Sequence, residues 1–593
     1  MRESICGAIW RKSSAFSLSG TVILNGTNAA TNIAVTGGNL QVGDAADTAA
    51  KLTGNVNVTG GTLSGHGKVV GNVSVGNGAT LAPGGSVGTL TIQGNLVLAS
   101  AVSYMVDVAS VTSSRTAVTG TATLGGIVGV MTSANSLRFN SPYTILTSAG
   151  LGGTRFNGLT PLTGLTGSLS YTATDVQLTV TSALGQFAGL NANQRAVATR
   201  LDAVFNGSGN SGTVGAIFNG NIAQNLTQAS GEIATGSQQS TFDAMNLFMG
   251  VMTDPFIGGR GDPVTSPTPA PSFAEENNGA SAYAASGKAR SQSERDAYAA
   301  IYRKAPVAAE VYAQRWSVWA AGFGGSQTTD GNAAVGSNGA SSRVYGTVVG
   351  ADYRFSPFTM AGFALAGGGT NFSIANALGT GRSDLFQAGA YIRHVVGPAY
   401  LSAALAYGWQ DVTTDRIVTI AGVDHLRAEF NANAFSGRAE AGYRFATPWM
   451  GITPYAAAQF TTFDLPTYAE AAVSGSNAFA LAYNARSVTD TRSELGIRTD
   501  KSFAVTNGIL TLRSRFAWAH DFDPNRSIAA TFQGLPGSSF VVNGAAQAQD
   551  SALATASAEM KWINGWSAAA AFEGEFSNVT RSYGGKGVVR YQW

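Results

Sequence analysis

The sequence predicts an all-β chain with minor α content: a C-terminal 12-stranded antiparallel transmembrane β-barrel, an N-terminal parallel β-helix, and a helical junction between them. Three observations lead to this expectation. Only 12% of the 593 residues are charged, about half the share usual in soluble proteins, yet no uncharged apolar run reaches the eighteen or so residues of a spanning helix. The C-terminal half alternates apolar and polar residues with the side-chain period of a strand. The N-terminal third consists of short β-prone runs punctuated by Gly, Asn and Asp, in a chain with 75 Gly, which suits close-packed rungs and tight turns. The length calls for two or more units. A net charge of +2 offers no basic surface from which to argue nucleic-acid binding.

Residues 1–15 read as an irregular N-terminus. Cys6 is the only cysteine, so no internal disulfide forms, and Glu3-Ser4-Ile5 before it is a poor lipoprotein box. Ile5 to Trp10 is short for the apolar core of a secretory signal, and Arg11-Lys12 interrupts it. No signal peptide is evident in this start, and the expectation is a longer reading frame upstream. Residues 16–184 carry the rung pattern, as in Thr21-Val22-Ile23-Leu24, Asn55-Val56-Asn57-Val58, Asn72-Val73-Ser74-Val75 and Thr89-Leu90-Thr91-Ile92. Each rung buries its inward side chains only when another covers it. Residues 185–254 form a helical junction, opened by Asn191 to Val197, with Phe242, Met245, Phe248, Met249 and Met252 at helical spacing. That face is assigned to core or junction packing. Residues 255–291 are a Pro/Gly-rich linker around Thr265 to Pro271. In residues 292–312 a helix runs from Ser293, a suitable cap, to Lys304, and Pro306 ends it.

Residues 313–593 contain segments starting near Arg315, Ser342, Phe358, Ser383, Ala399, Ala428, Gly451, Val488, Gly508, Ser551, Ser567 and Lys586. Their number is even, as a single-chain bacterial barrel requires. Phe435, Ala439, Ala441 and Tyr443 oppose Ser436, Arg438, Glu440 and Arg444. Leu510, Leu512, Phe516 and Trp518 oppose Thr511, Arg513 and Arg515. Ala568, Ala570, Phe572 and Phe576 oppose Glu573 and Glu575. An Arg or Lys facing lipid at mid-bilayer costs roughly 2–4 kcal/mol, so the charged rows belong inside. The candidate lumen residues are Arg438, Glu440, Arg492, Glu494, Arg513, Arg515, Glu573 and Glu575. A soluble sandwich has the same period, but small residues and aromatics on the apolar faces, and the closing Trp593, favour the membrane. In the last strand Gly587, Val589, Tyr591 and Trp593 share one face.

Here the residues match a known family. Arg315-Trp316-Ser317-Val318-Trp319-Ala320-Ala321-Gly322-Phe323-Gly324 resembles the opening strand of the autotransporter translocator domain, and Gly346-Thr347-Val348-Val349-Gly350-Ala351-Asp352 resembles its second. The stretch Asn72 to Leu90 looks like the Gly-rich repeat of autotransporter passengers, and the final strand resembles the terminal aromatic signal of Gram-negative outer-membrane proteins. The resemblance covers nearly the whole chain. It implies type V secretion: an outer-membrane barrel exporting and anchoring a passenger at the cell surface. The residues themselves lead us to expect no cofactor and no metal. The implied partners are outer-membrane lipid, the barrel assembly machinery acting on Val589, Tyr591 and Trp593, and a host or surface receptor. It also implies a helix left as a plug in the lumen. The candidate is Ser293 to Lys304, with Arg295, Arg303 and Lys304 toward lumenal Glu440, Glu494, Glu573 or Glu575.

Other motifs lead elsewhere. Gly84-Gly85-Ser86-Val87-Gly88 fits a nucleophile elbow, but no helix is expected after Ser86. His66, His394, His425 and His520 are scattered without metal-ligand spacing. Arg260-Gly261-Asp262 matches a tripeptide that some adhesins show to integrins, although chance explains it well in a Gly-rich chain. The passenger is expected to be non-enzymatic and adhesive or structural. Alternatives are a passenger enzyme whose catalytic part lies upstream of this start, and a plain porin.

Overall fold

The computed structural model describes residues 2–6, 14–254 and 315–593. From Ser14 to Gly158 the chain winds as a three-sided parallel β-helix, each side a column of stacked residues in register. One column is Leu52, Val69, Ile92 and Val118. A second is Ile33, Val56, Val73, Leu96 and Ala122. The third is Leu40, Leu63, Leu81, Tyr104 and Val128. All of these side chains are buried, and burying each Leu, Val or Ile contributes about 1.5–3 kcal/mol. Tyr104 keeps its polar tip satisfied by donating to the Ile145 carbonyl at 2.5 Å.

One corner of the helix is a ladder of side-chain amides. Asn55 Oδ1 accepts from Asn72 N at 2.9 Å, Asn72 Oδ1 from Asn95 N at 2.8 Å, and Asn95 Oδ1 from Thr121 N at 2.9 Å. Gly precedes each rung position there because the rungs touch: a Cβ on Gly94 would lie 2.3 Å from the Gly71 carbonyl oxygen.

The N-terminus departs from the expected irregular stretch 1–15. Arg2–Cys6 is a strand that pairs in parallel with Thr21–Asn25, because an uncovered rung edge offers a row of backbone donors and acceptors. At the other end of the stack, Leu165–Tyr171 and Asp175–Ser182 form an antiparallel hairpin, and Pro142–Thr147 pairs antiparallel with it. The hairpin turns the last parallel edge away from further stacking.

Helix α1 (Ala192–Ser208) follows, with Asn191 and Gln194 in a reciprocal capping box and Gly209 ending it at φ 72°. Asp202 on α1 accepts from the Leu184 and Gly185 amides, both at 2.8 Å, and ties the helix to the stack. Helices α2 (Ile222–Ala229) and α3 (Ala234–Thr253) complete the α content of the described residues.

The barrel strands are β1 (Trp316–Thr329), β2 (Ala340–Ser356), β3 (Thr359–Ile374), β4 (Gly379–Val396), β5 (Ala399–Val418) and β6 (Asp424–Tyr443). They continue with β7 (Gly451–Leu465), β8 (Arg486–Val505), β9 (Gly508–Asp521), β10 (Asp550–Trp562), β11 (Trp566–Phe576) and β12 (Thr580–Gln592). Every neighbour is antiparallel, and β12 pairs with β1 from Ser317↔Gln592 to Thr329↔Thr580, which closes the ring.

One rim has tight connections, such as Asn507 at φ 66° between β8 and β9. It holds an aromatic belt in which Tyr591 lies 5.0 Å from Trp566 and 5.7 Å from Trp593. The other rim carries the long loops. Short turns beside the barrel termini and long loops opposite fit the periplasmic and extracellular ends of an outer-membrane barrel. Outward-facing Val349, Leu365, Leu405, Phe460, Leu495 and Phe516 form the apolar wall. Outward Arg343, Arg382, Asp384, Asp411 and Glu429 sit only toward the long-loop rim, where strands outrun the bilayer.

Two long loops fold together. Tyr468–Ala469 and Leu481–Tyr483, between β7 and β8, join Ser527–Phe532 and Phe540–Asn543, between β9 and β10, in a four-stranded antiparallel sheet. It stands where α3 meets the barrel.

Candidate functional site: the barrel lumen and its helix

Helix α3 lies inside the barrel. Its depth follows from successive contacts along β4: Ile233 meets Gly379 at the long-loop rim, Gln387 donates to the Ala244 carbonyl at 3.2 Å, and Met252 packs on Gly389. Asp254, just past its end, pairs with Lys586 halfway along β12 at 2.6 Å. The helix thus enters from the long-loop rim and ends at mid-height. Nearly every residue of it is buried, including Ser237, Gln238, Gln239, Ser240 and Thr241.

A helix carrying polar side chains on buried faces needs a polar wall, and the wall supplies one. Thr241 hydrogen-bonds Gln410 at 3.2 Å, Gln238 donates to the Ser527 carbonyl at 2.8 Å, Gln459 donates to Asn246 at 2.5 Å, and Ser342 donates to Asp243. Where the helix needs space, the wall has glycine: a Cβ on Gly389 would lie 2.5 Å from Met252 Sδ.

This placement agrees with core packing for the Met face and shows what it packs on. Met245 and Met252 pack against the inside of the barrel at Gly408 and Gly389, because the thioether fills the irregular gaps left by missing side chains. The stretch 292–312, including Ser293 to Lys304, and the tripeptide Arg260, Gly261 and Asp262 lie outside the described residues. The sequence signal for α3 was its near-absence of charge: Asp243 is the one charged residue between Ala234 and Thr253, and a helix without a charged face has no face for water.

The other side of α3 borders a cavity of about 120 Å³ lined by charge. Seven of the eight lumen candidates line it: Arg438, Glu440, Arg492, Glu494, Arg515, Glu573 and Glu575. Arg438 bridges Glu494 at 2.8 Å and Glu440 at 3.0 Å, and Arg498 pairs with Glu440 at 2.5 Å. Arg492 reaches Glu575 at 3.0 Å. Arg515 lies 3.7 Å from Glu573, which Lys586 approaches to 3.3 Å. The eighth, Arg513, is elsewhere on the inner wall, paired with Glu559 at 2.6 Å.

Arg498, with the parity of Arg492 and Glu494 on β8, and Lys586, with the parity opposite to outward Val589, Tyr591 and Trp593 on β12, were not among the lumen candidates; the rule of one charged row per strand would have found them. Also missed was the seam cluster, where Arg590 on β12 donates to Ser317 on β1 at 2.7 Å and pairs with Asp352 on β2 at 2.8 Å. Val589 and Trp593 face outward beside Tyr591, and the Trp593 amide donates to the Trp316 carbonyl at 3.1 Å. Outside the barrel, Ser86 sits in a turn and His66 packs on Gly88, with no helix after the serine. Among the described residues no group of His, Cys, Asp and Glu has metal-binding geometry.

Residues 318–573 match the family model for the Autotransporter beta-domain. No curated protein matches the chain. Solved structures similar to this chain include the translocator domain of the autotransporter NalP from Neisseria meningitidis, at 18% identity and a TM-score of 0.39, covering 50% of this chain and 97% of that one. The beta domain of the Bordetella autotransporter BrkA is similar at 19% identity and a TM-score of 0.37, covering 47% and 100%. The transport unit of AIDA-I from Escherichia coli is similar at 11% identity and a TM-score of 0.32, covering 51% and 100%.

Proposed function

We propose that this chain, which carries an autotransporter beta-domain over residues 318–573, exports its N-terminal part through the outer membrane and holds it at the cell surface, where the β-helix acts as a non-enzymatic adhesive or structural passenger. The observation that carries this reading is α3. It runs down the lumen from the long-loop rim, so the chain before it stands at that rim while the barrel that follows begins at the opposite one. Outer-membrane lipid meets the apolar wall, the assembly machinery acts on the strand ending in Val589, Tyr591 and Trp593, and a surface receptor is the partner of the passenger. A plain porin fits poorly, because α3 is packed against the inner wall from the long-loop rim to mid-height.

Protease shaving of intact cells tests the proposal. The β-helix is expected to be cut from outside, leaving a heat-modifiable barrel in the outer-membrane fraction. A β-helix digested only after the outer membrane is opened would overturn it.

A further inference from the structure

At the long-loop rim, between α1, α2 and the loops after β1, β3 and β5, lies a cleft of about 770 Å³, a size that admits a small ligand. Its lining contains no Asp, Glu, Lys or Arg and is built from carboxamides, hydroxyls and backbone, with Ala333, Ala377, Leu378 and Ile417 as apolar patches. The absence of charge is unusual beside a lumen crowded with it.

The amides are held by the fold. Gln194 donates to the Ala223 carbonyl at 3.0 Å and to Thr227 at 2.9 Å. Gln228 accepts from the Thr419 amide at 2.9 Å and its hydroxyl at 3.1 Å. Asn376, at φ 62°, donates to Asn338 at 3.0 Å. Gln194 also accepts from the Asn191 amide at 3.0 Å and is engaged at both ends, whereas the contacts of Gln228 and Asn376 occupy one end of each carboxamide. Among the described residues the Gln228 amide nitrogen and the Asn376 side-chain oxygen keep unspent capacity, and Gln224, whose backbone amide donates to the Asn221 side chain at 3.2 Å, presents an exposed carboxamide.

We propose that this cleft binds a neutral oligosaccharide. Hydroxyl groups that both donate and accept suit a wall of amides that do the same. The exposed Ile417 side chain offers a surface for a sugar's C–H face, and no side chain in the lining would select an ionic group. The site differs from the β-helix in place and in chemistry. Its location at the cell surface rests on the export reading, but binding by purified protein does not, so either can fail alone.

The test is calorimetric titration of the full-length chain in detergent micelles with tri- to hexasaccharides of glucose, galactose, mannose and N-acetylglucosamine, beside sialylated and phosphorylated counterparts. A second arm uses delipidated polysaccharide from the producing cell's own lipopolysaccharide. Saturable binding of a neutral saccharide is expected, weakened about tenfold by Gln224→Ala through loss of its hydrogen bonds and blocked by Ile417→Arg, with heat-modifiable migration unchanged in both variants. Binding confined to the second arm identifies the cell's own glycan as the source, and binding in the first a foreign one. Preference for the anionic probes, indifference to both substitutions, or no neutral binding at millimolar concentration in either arm would overturn the proposal.

Discussion

In the β-helix the row Leu40, Leu63, Leu81, Tyr104 and Val128 points inward and is fully buried, whereas the inward row of β8 carries Arg492, Glu494 and Arg498 and its outward row Leu495 and Ile497. Both regions alternate in steps of two. The difference is the medium outside each: water rewards an apolar inside, while hydrocarbon allows the polar row only where protein and water can solvate it. Period alone therefore identifies a strand, and the sense of alternation identifies its solvent.

The largest expected effects come from reversing that sense. Glu494→Leu leaves Arg438 without its 2.8 Å partner and strips Arg492 of a second, and it should destabilise the barrel by about 3–5 kcal/mol. Leu63→Glu, which buries an unpaired carboxyl in the rungs, should also rank among the severe variants. Urea unfolding of barrel and β-helix, followed separately, measures both. A neutral Glu494→Leu would mean that the lumen behaves as an apolar core, and the contrast would be lost.

A matched pair comes next. Leu405 and Ile127 are both exposed apolar side chains, at 67% and 46%. Leu405→Arg should cost about 2–4 kcal/mol in liposomes, and Ile127→Arg within about 0.5 kcal/mol. Equal effects would place both surfaces in the same solvent.

A third probe lies at the boundary between the regions. Glu232, just before α3, is buried and accepts from the Asn338 amide at 2.7 Å and its side chain at 2.6 Å. Burial lifts its pKa from 4.5 to about 7 against those two bonds. The folded protein therefore holds a proton that the unfolded chain has released. The associated stability is complete below about pH 4.5, falls as pH rises to about 7, and is flat beyond. Glu232→Gln should remove that slope from melting temperatures recorded between those values. A modest loss is expected in the ladder: Asn72→Ala should cost about 1 kcal/mol, read from β-helix unfolding with the barrel unchanged.

Much of this plan was legible in the sequence because alternation survives any tertiary context. Arg438 and Glu440, or Arg513 and Arg515, could be placed inside from parity alone. Other features lack such a signal. Strands of two or three residues, such as Tyr468–Ala469 and Leu481–Tyr483, are too short to display a period, so the loop sheet was not foreseen. The amide ladder joins residues 17, 23 and 26 positions apart, a spacing too uneven to read as a repeat. Helix α3 was recognisable as a helix and its Met face as core or junction packing, but the lumen wall it packs on was not legible, because side-chain identity does not say which partner supplies the gap.

The direction of α3 has a mechanical consequence. A pull on the chain N-terminal to α3 acts nearly along the helix axis, so its wall contacts, from Gln238–Ser527 to Asp254–Lys586, are loaded side by side in shear and share the tension. Peeling them one by one would require a sideways tug that the encircling wall does not permit, and the anchor should yield abruptly at high force.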